Sequence, residues 1–380
     1  MLEKLAELTL LQRIHEPSIT VVIPSYRGGS NLIKLVKSLL ESNYKQVEVV
    51  VVVDEPSGEL LEELSTLRGC KIIARGWRLG KVSALNTALK LSQGELVVFL
   101  DDDVAVEDPE FLRKISEAMK GYEVGDIKKV VTGQGLLSKL IHVEYIAYNF
   151  SSKLMAKLAG RSIAINGAAF VMRRKAIEEL GGFLPVVSED FDIMLRSFRA
   201  GHRFTYIDST YVLNYTPTSW SKWLKQRKRW AVGVAIFMKD YFKELCRAFT
   251  KMPQALIPGL LFSLPSLITS MLVVFLRNQL YGKAVYVVLL SLSSLLERLI
   301  PAAAVITVGL HFMYVVPVLL TATLLASLHY TAARIIKMKS YTYLYPIYLL
   351  VYQPVWFTIL MAGFLRVFLL KKSDVDDWVV

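Results

Sequence analysis

Cysteine is scarce in this chain, with only Cys70 and Cys246 among 380 residues. The two lie far apart and share no metal-ligand spacing, which excludes a disulfide framework and a cysteine-based zinc site. We expect free or buried thiols in a reducing compartment. We expect no signal peptide in residues 1–16, because charged side chains interrupt any apolar stretch there. A short amphipathic segment is predicted instead.

Acidic residues are outnumbered, with 33 Asp and Glu against 45 Lys and Arg, and the net charge is +12. No nucleic-acid-binding motif accompanies this charge, so we predict no nucleic-acid partner. Anionic membrane lipids are the partners that such a basic chain more often meets. A basic site would also suit the diphosphate of a nucleotide substrate.

Apolar residues are plentiful but unevenly distributed. They make up 53% of the chain, and the mean hydropathy of +0.41 exceeds that of a typical soluble domain. Residues 17–216 are typical of a soluble domain, and most of the excess lies beyond residue 255. The segment 217–250 interleaves aromatic, aliphatic and basic side chains, which predicts an amphipathic helix in a membrane interface.

Residues 251–380 are predicted to form a transmembrane region. Three stretches are long enough to span a bilayer: 255–276, 301–330 and 343–370. A fourth candidate, 284–300, is interrupted by Glu297 and Arg298, which form either a loop between two spans or an intramembrane ion pair. We therefore predict three or four spans. No comparable apolar stretch precedes residue 17.

Strand-like and helix-like patterns alternate within residues 17–216. The Val/Ile-rich runs "SITVVIPSY", "VEVVVVVD" and "ELVVFLDDD" are separated by segments with helical spacing. This alternation predicts an α/β fold with a mostly parallel sheet that is covered on both faces. Ligands of such sheets bind beyond the carboxyl ends of the strands. The segments "PSYRGG", "DEPSG", "RGWRLGK" and "DDD" are thereby predicted to share one edge.

Three carboxylates follow the fourth predicted strand. In an extended chain, Asp101 and Asp103 point to one face and Asp102 to the other. Two carboxylates on one face suit a hard divalent cation that completes its shell with phosphates and water. The alternative is a solvated acidic turn or a helix cap, which is the better interpretation for Asp108, just before Pro109.

Each of the other polar residues at this edge has a candidate functional role and a purely structural alternative. Lys81, at a helix start, suits a phosphate, although a solvated surface lysine is the alternative. Asp54 could accept from a ribose or a base, or form a turn. Asp190 could act as a general base, or belong to the acidic first turn of a helix capped by Ser188. We expect Asp192 to be a helix-surface or capping charge.

The segment "QRKRW" places Gln226, Arg229 and Trp230 at positions i, i+3 and i+4, on one face of a helix. An arginine can contact a diphosphate through several donors, and an indole can support a sugar ring. The alternative is an interfacial helix whose Trp and Arg side chains contact lipid headgroups.

Taken in order, these motifs resemble family 2 glycosyltransferases. The resemblance covers about residues 17–232 through "VVIPSYRGG", "VVVDEPSG", "GKVSALNTAL", "FLDDDVAVEDP", "INGAAFVMRR", "SEDFDIMLRSFRAGHR" and "QRKRW". It is strongest to the membrane-embedded members with a Q-x-x-R-W motif, such as cellulose and hyaluronan synthases and ceramide glucosyltransferases. Two departures are Arg27-Gly28 in place of Asn-Glu, and Ser188 in place of a threonine.

This resemblance implies a GT-A catalytic domain, an interfacial helix and transmembrane helices, and it distributes roles over the matching positions. Five side chains would bind the nucleotide-sugar: Tyr26, Asp54, Lys81, Asp101 and Arg229. Three would bind the acceptor: Gln226, Trp230 and Glu189. Asp103, with Asp101, would hold Mg²⁺ or Mn²⁺. Asp190 would be the catalytic base.

The implied activity is inverting, metal-dependent transfer from a nucleotide-sugar, usually a UDP-sugar, to a growing polysaccharide or glycan. The implied location is a multi-pass protein of the cell membrane with its catalytic domain in the cytoplasm. One alternative is a non-processive enzyme that adds one sugar to a glycolipid or polyprenyl-phosphate-linked acceptor. A more distant alternative is a transporter that senses nucleotides.

Overall fold

The computed structural model describes residues 16–253 and 302–372, together with residues 287, 288, 291, 292 and 294. The predicted amphipathic segment lies outside these residues except for Glu16. The candidate span 255–276 and most of the candidate 284–300 lie outside them as well.

A single eight-stranded sheet organises the described part of residues 17–216. Its strands are Ile19–Tyr26 (β1), Val47–Asp54 (β2), Cys70–Arg75 (β3), Leu96–Leu100 (β4), Val104–Ala105 (β5), Val124–Thr132 (β6), Ala169–Arg173 (β7) and Phe204–Tyr215 (β8). The spatial order is β3-β2-β1-β4-β7-β6-β8-β5. Strands β1 to β4 run parallel, whereas β7 is antiparallel to β4 and β6. The predicted α/β fold with a mostly parallel sheet is confirmed.

The helices flank this sheet and continue beyond it. They are Ser30–Leu40 (α1), Gly58–Ser65 (α2), Lys81–Leu91 (α3), Phe111–Ala118 (α4), Leu136–Ala159 (α5), Arg174–Glu179 (α6), Glu189–Ala200 (α7), Trp220–Asp240 (α8), Phe242–Lys251 (α9), Ala302–Ile335 (α10) and Gln353–Phe368 (α11). The segment 217–250 thus holds one helix and most of a second, and the two meet at Tyr241. The backbone of Tyr241 leaves the helical region, which separates α8 from α9.

Residues of the central strands alternate between two apolar cores. In β2, Val49 and Val51 pack beneath α1 and α4, whereas Val50 and Val52 pack beneath α3 and α7. All four are fully buried. Burying one such side chain contributes about 1.5–3 kcal/mol, so the all-valine run stabilises a strand that is covered on both faces.

The carboxyl ends of the parallel strands lie in register at one edge. Tyr26, the last residue of β1, pairs with Asp54 of β2, and Asp54 pairs with Arg75 of β3. Strand β4 ends at Leu100, so Asp101 begins the loop at the same edge. The fold therefore brings the ends of four strands together, as the sequence pattern predicts.

Two helical segments of the described residues are long and apolar enough to cross a membrane, by length and composition: Val318–Ile335 and Thr342–Phe368. They correspond to the predicted spans 301–330 and 343–370. The second begins with a 3₁₀ turn and contains a π-helical stretch, Tyr348–Tyr352, directly before α11. Helix α11 packs closely against α8.

Candidate active site

Lys81 lies at the first position of α3 and faces two acidic residues. Its Nζ atom is 2.7 Å from Oδ1 of Asp101 and 3.1 Å from Oε1 of Glu189. Burial favours the neutral amine, but the charges of Asp101 and Glu189 outweigh this effect and raise the pKa of Lys81. An ammonium group has three donors, and two are engaged by these carboxylates. One donor remains for a phosphate oxygen.

Asp190, the candidate base, is half-buried at the start of α7. It accepts from the backbone N–H of Gly167 at 3.1 Å and from its neighbour Phe191 at 2.9 Å. Burial, followed by the charge of Glu189, raises the pKa of Asp190 to about 7. A carboxylate with such a pKa is suited to accept a proton near neutral pH.

Gly167 is a site residue to which the sequence analysis gave no role. A Cβ atom at this position would lie 2.7 Å from Oδ2 of Asp190, so any side chain would displace the carboxylate. The next residue, Ala168, accepts from the backbone N–H of Asp101 at 3.0 Å. The loop that contains Gly167 and Ala168 therefore lies between Asp190 and Asp101 and contacts both. In the sequence, this loop is the segment "INGAA".

The start of α7 differs from expectation in detail. Ser188 occupies the predicted N-cap position and the first turn is acidic, but the side chain of Ser188 makes no capping hydrogen bond. Asp192, expected to be a helix-surface or capping charge, lies in the first turn, but it has no solvent exposure and pairs with Arg196 at 2.6 Å. The first turn of α7 is buried against other elements. The pattern of a single helix does not reveal such burial.

Two of the three aspartates after β4 have different partners. Asp102 accepts a short hydrogen bond from Ser25 of β1, away from the Lys81–Asp101 pair. Asp103 remains accessible to water, yet the surrounding protein and then the charges of Asp101 and Asp102 raise its pKa to about 7. Asp102 and Asp103 lie in a turn after the strand, so the alternation of an extended chain, on which the predicted shared face of Asp101 and Asp103 depends, does not apply here.

This edge offers oxygen ligands for a hard cation but no closed cage. Within the described residues, no three His, Cys, Asp or Glu side chains form a metal-binding cluster. A cation held by Asp103 and Asp101 would depend on phosphate and water oxygens for the rest of its shell. That donor set fits Mg²⁺ or Mn²⁺ bound together with a nucleoside diphosphate.

Asp54 and Tyr26 lie at the same edge beside the cleft. Asp54 is buried and accepts from the backbone N–H groups of Leu79 and Gly80, both at 2.9 Å. It thereby anchors the loop that leads into Lys81. Tyr26 is 39% exposed, and its ring lies 4.1 Å from the guanidinium carbon of Arg78. The guanidinium of Arg78 therefore covers one face of a partly exposed ring.

Helix α8 places Arg229 close enough to the acidic residues of the site to interact with their charges. Burial lowers the pKa of Arg229, and the charges of Asp101, Glu189 and Asp103 oppose this shift. Trp230 is half-buried and lies over the guanidinium of Arg227, whose carbon is 4.3 Å from a Trp230 ring centroid.

Gln226 is half-buried on the same helix. It is not among the residues that line the cleft, and neither are Asp103, Arg229 and Trp230. Arg227 was missed by the sequence analysis, because it is one of the unspecified positions of Q-x-x-R-W.

Four of the charged residues of the site line one cleft. Its polar lining residues are Lys81, Asp101, Glu189 and Asp190, and its remaining lining residues are Pro24, Leu85, Phe99, Leu100, Gly167, Phe170 and Phe183. These groups combine one ammonium that can contact a phosphate oxygen with carboxylates that can bind a divalent cation or accept a proton.

Sequence comparison matches the chain to a known protein family. The family described as "Glycosyltransferase like family 2" matches residues 17–233, more than half of the chain. The chain is 25% identical over 245 residues to "Probable glycosyltransferase YdaM" of Bacillus subtilis, covering 60% of this chain and 58% of that protein. It is 28% identical over 193 residues to "Probable glucomannan 4-beta-mannosyltransferase 14" of Arabidopsis thaliana, covering 45% and 34%. The chain thus spans less than two thirds of either relative's length.

The fold has a counterpart among solved structures. The mannosyltransferase PcManGT from Pyrobaculum calidifontis, in complex with GDP-Man and Mn²⁺, matches with a TM-score of 0.50 at 17% identity. The match covers 81% of this chain and 87% of that one, and it supports the predicted GT-A fold. With the family match over residues 17–233, the chain belongs to glycosyltransferase family 2.

Proposed function

We propose that the chain transfers a sugar, with inversion, from a nucleoside diphosphate sugar to an acceptor hydroxyl at a membrane. The observation that carries this proposal is the convergence of Lys81, Asp101, Glu189 and Asp190 on one cleft at the carboxyl edge of the sheet. An ammonium that can contact a phosphate and a carboxylate that can act as base, close together, are what a displacement at a sugar carbon requires.

The chemical step then follows from the two ends. The acceptor hydroxyl attacks the anomeric carbon and gives its proton to Asp190, whose backbone hydrogen bonds aim its carboxylate. The bond from the anomeric carbon to the phosphate oxygen breaks, and its electron pair leaves with the diphosphate. Lys81 and Arg229 offset the charge that develops on this leaving group.

Asp103, with Asp101, would hold the divalent cation. When bound, a cation of this kind supplies charge neutralisation to the diphosphate. Glu189 binds Lys81 in this arrangement, so we assign it to the donor end as well as to the acceptor. Tyr26 contributes its exposed ring to the binding of the donor's nucleobase. Asp54 acts on donor binding through the loop before Lys81, which it anchors.

For the donor, we propose a UDP-sugar or GDP-mannose. The family resemblance favours a UDP-sugar, and the similarity to a protein named as a glucomannan mannosyltransferase favours mannose. For the acceptor, we propose a growing glycan bound by Gln226 and Trp230.

A second candidate is addition of one sugar to a lipid-linked acceptor. It is favoured by the direct packing of α8, which carries Gln226 and Trp230, against the apolar helix α11. An acceptor embedded in a bilayer could then reach the site along this contact. The size of the product separates the two candidates.

We further propose a multi-pass protein of the cell membrane whose catalytic domain faces the cytoplasm. The two apolar helical segments Val318–Ile335 and Thr342–Phe368 support this placement. Protease treatment of intact cells would leave the catalytic domain uncut, whereas permeabilised cells would lose it.

The proposal is tested with purified membranes that contain the full chain. They are incubated with radiolabelled UDP-glucose, UDP-N-acetylglucosamine and GDP-mannose, with Mn²⁺ or with EDTA. We expect metal-dependent release of one nucleoside diphosphate and label in a glycan or a glycolipid. Membranes with Asp208→Asn, an exposed acid outside the cleft, serve as the matched control for Asp190→Asn. Equal release by Asp190→Asn and Asp208→Asn would reject the mechanism.

A further inference from the structure

A buried ion pair joins α8 to α5. Arg227 has no solvent exposure, and its guanidinium donates to both carboxylate oxygens of Glu144, at 3.0 and 2.5 Å. A planar guanidinium that binds a carboxylate through two donors is held in one orientation. The rotation of α8 relative to α5 is therefore set at this point.

Tyr352 belongs to the apolar segment Thr342–Phe368, hereafter the C-terminal apolar segment. Its hydroxyl bonds to both members of this pair. It donates to Glu144 at 2.8 Å. It accepts from Arg227 at 3.1 Å and from the indole N–H of Trp223 at 3.0 Å. A hydroxyl offers one donor and two acceptor sites, and all are used here. Tyr352 also ends the π-helical stretch Tyr348–Tyr352, and such stretches are frequent at functional sites.

Stability alone is a weak reason for such a pair. Removing two charges from water costs about as much free energy as their attraction returns, and apolar replacements are often neutral or stabilising. What Arg227, Glu144 and Tyr352 provide instead is one defined arrangement of three helical segments that are distant in the sequence.

Arg227 fixes the surface that α8 presents to substrates. Its guanidinium carbon lies 4.3 Å from a ring centroid of Trp230, a cation–π contact that holds the indole. Arg229, two positions after Arg227, lies in the field of Asp101 and Glu189. A small rotation of α8 would move the Trp230 indole and the Arg229 guanidinium together.

Helix α8 also supports the turn that carries Asp190. A Cβ atom on Gly233 would lie 2.7 Å from Oγ of Ser188, so the helix and the turn are in direct contact. At the end of α8, the hydroxyl of Tyr241 donates a short hydrogen bond to Asp192. The position of the base therefore depends on the position of α8.

On its other side, α8 is in direct contact with α11. A Cβ atom on Gly363 would lie 2.8 Å from the backbone carbon of Ala231, which leaves no room for a side chain. Val232 and Ala235 pack with Val367 in a small buried cluster. The contacts of α8 thus run from the C-terminal segment to the active site without a gap.

We propose that the C-terminal apolar segment is a positioning element of the active site. Through Tyr352 and the Arg227–Glu144 pair it sets the orientation of α8, and α8 in turn sets Arg229, Trp230 and the turn of Asp190. Arg227 and Tyr352 are positioning residues, since they act through α8. The inference rests on the proposed function for its catalytic consequence, but its effect on local packing is measurable without substrate.

The first test is hydrogen exchange of the full chain in detergent, with two variants that each lose one hydroxyl. Tyr352→Phe breaks the three hydrogen bonds described above. Tyr345→Phe is the matched control, because among the described residues the hydroxyl of Tyr345 bonds to none. We expect Tyr352→Phe to raise exchange in residues 188–192 and in α8 by about tenfold, with β1 to β4 unchanged. Equal exchange in the two variants overturns the proposal, and so does a uniform rise.

The second test is nucleoside diphosphate release from the donor found active above, in membranes with endogenous acceptor. We expect about tenfold slower release with Tyr352→Phe than with Tyr345→Phe. Glu144→Gln, a second variant, is expected to behave like Tyr352→Phe. Local loosening of α8 without slower release contradicts the positioning role. If the wild-type chain releases no nucleoside diphosphate from any donor, the proposed function fails, and hydrogen exchange alone decides the inference.

Discussion

The ammonium group of Lys81 and the carboxylate of Asp101 form an ion pair of 2.7 Å at the carboxyl edge of the sheet. Lys81 begins a helix, and Asp101 follows a strand. The pair thus joins the positive end of a helix dipole to the acidic loop of β4. Because Lys81 also contacts Glu189, one lysine links all three elements that form the polar part of the cleft.

Replacing Lys81 tests the donor end. Lys81→Gln replaces the ammonium with a shorter, neutral amide, so a phosphate oxygen, Asp101 and Glu189 all lose their cationic partner. We expect the Kd for UDP or GDP to rise about 10- to 100-fold, because hydrogen bonds to charged groups contribute about 1.5–3 kcal/mol. Lys71→Gln, which breaks an exposed ion pair with Glu48, is the control. Calorimetry that finds equal affinities would contradict the assignment.

Replacing Asp190 separates chemistry from donor binding. Asp190→Asn keeps the shape of the side chain but cannot accept the proton of an acceptor hydroxyl. We expect the transfer rate to fall by about 10²- to 10⁴-fold while the affinity for the nucleoside diphosphate stays near that of the wild type. Transfer and binding are measured on the same membrane preparation. Substantial turnover by the variant would disprove the role of base.

The pH profile of transfer reports the same group. Burial and the charge of Glu189 raise the pKa of Asp190 to about 7, and only its ionised form accepts a proton. We expect kcat/KM to rise tenfold or more per pH unit below 7 and to level off above it, because Asp103, whose pKa is also raised to about 7, must ionise to hold the cation. Initial rates from pH 5 to pH 8.5 at constant ionic strength measure this. A flat profile across that range would argue against Asp190 as the base.

Gly167 tests the placement of the base without touching it chemically. Gly167→Ala puts a Cβ atom 2.7 Å from the carboxylate of Asp190 and displaces it. We expect a loss of transfer of about 10²-fold with little change in melting temperature. Gly58→Ala, at a site with no atom within 4 Å, should have no effect. Wild-type rates for both variants would show that the contact is unimportant.

Removal of the cation ligand tests the metal. Asp103→Asn is expected to weaken Mn²⁺ binding in the presence of a nucleoside diphosphate by about tenfold or more, since a neutral amide is a poorer ligand for a hard cation. Electron paramagnetic resonance of free Mn²⁺ measures this directly. Asp240→Asn, an exposed position at the end of α8, is the control. Unchanged Mn²⁺ affinity in Asp103→Asn would remove it from the cation site.

Much of the catalytic domain could be predicted because its signals are local. The valine run of β2, the start of α3 at Lys81 and the acidic end of β4 each depend on neighbouring residues. Parallel strands joined by helices then place their carboxyl ends at one edge whatever the details of packing. The sequence by itself therefore determined the fold class, the edge that bears the site and most of the cleft's charged residues.

Only the tertiary structure decided how α8 is held. Glu144 and Arg227 are 83 residues apart, and Tyr352 lies 125 residues beyond Arg227. None of the three has a local pattern that marks it, since a lone Glu, Arg or Tyr on a helix is as compatible with an exposed face as with a buried one. Their pairing depends on the free energy of packing three helical segments that are distant in the sequence. A local sequence motif does not indicate which segments pack together.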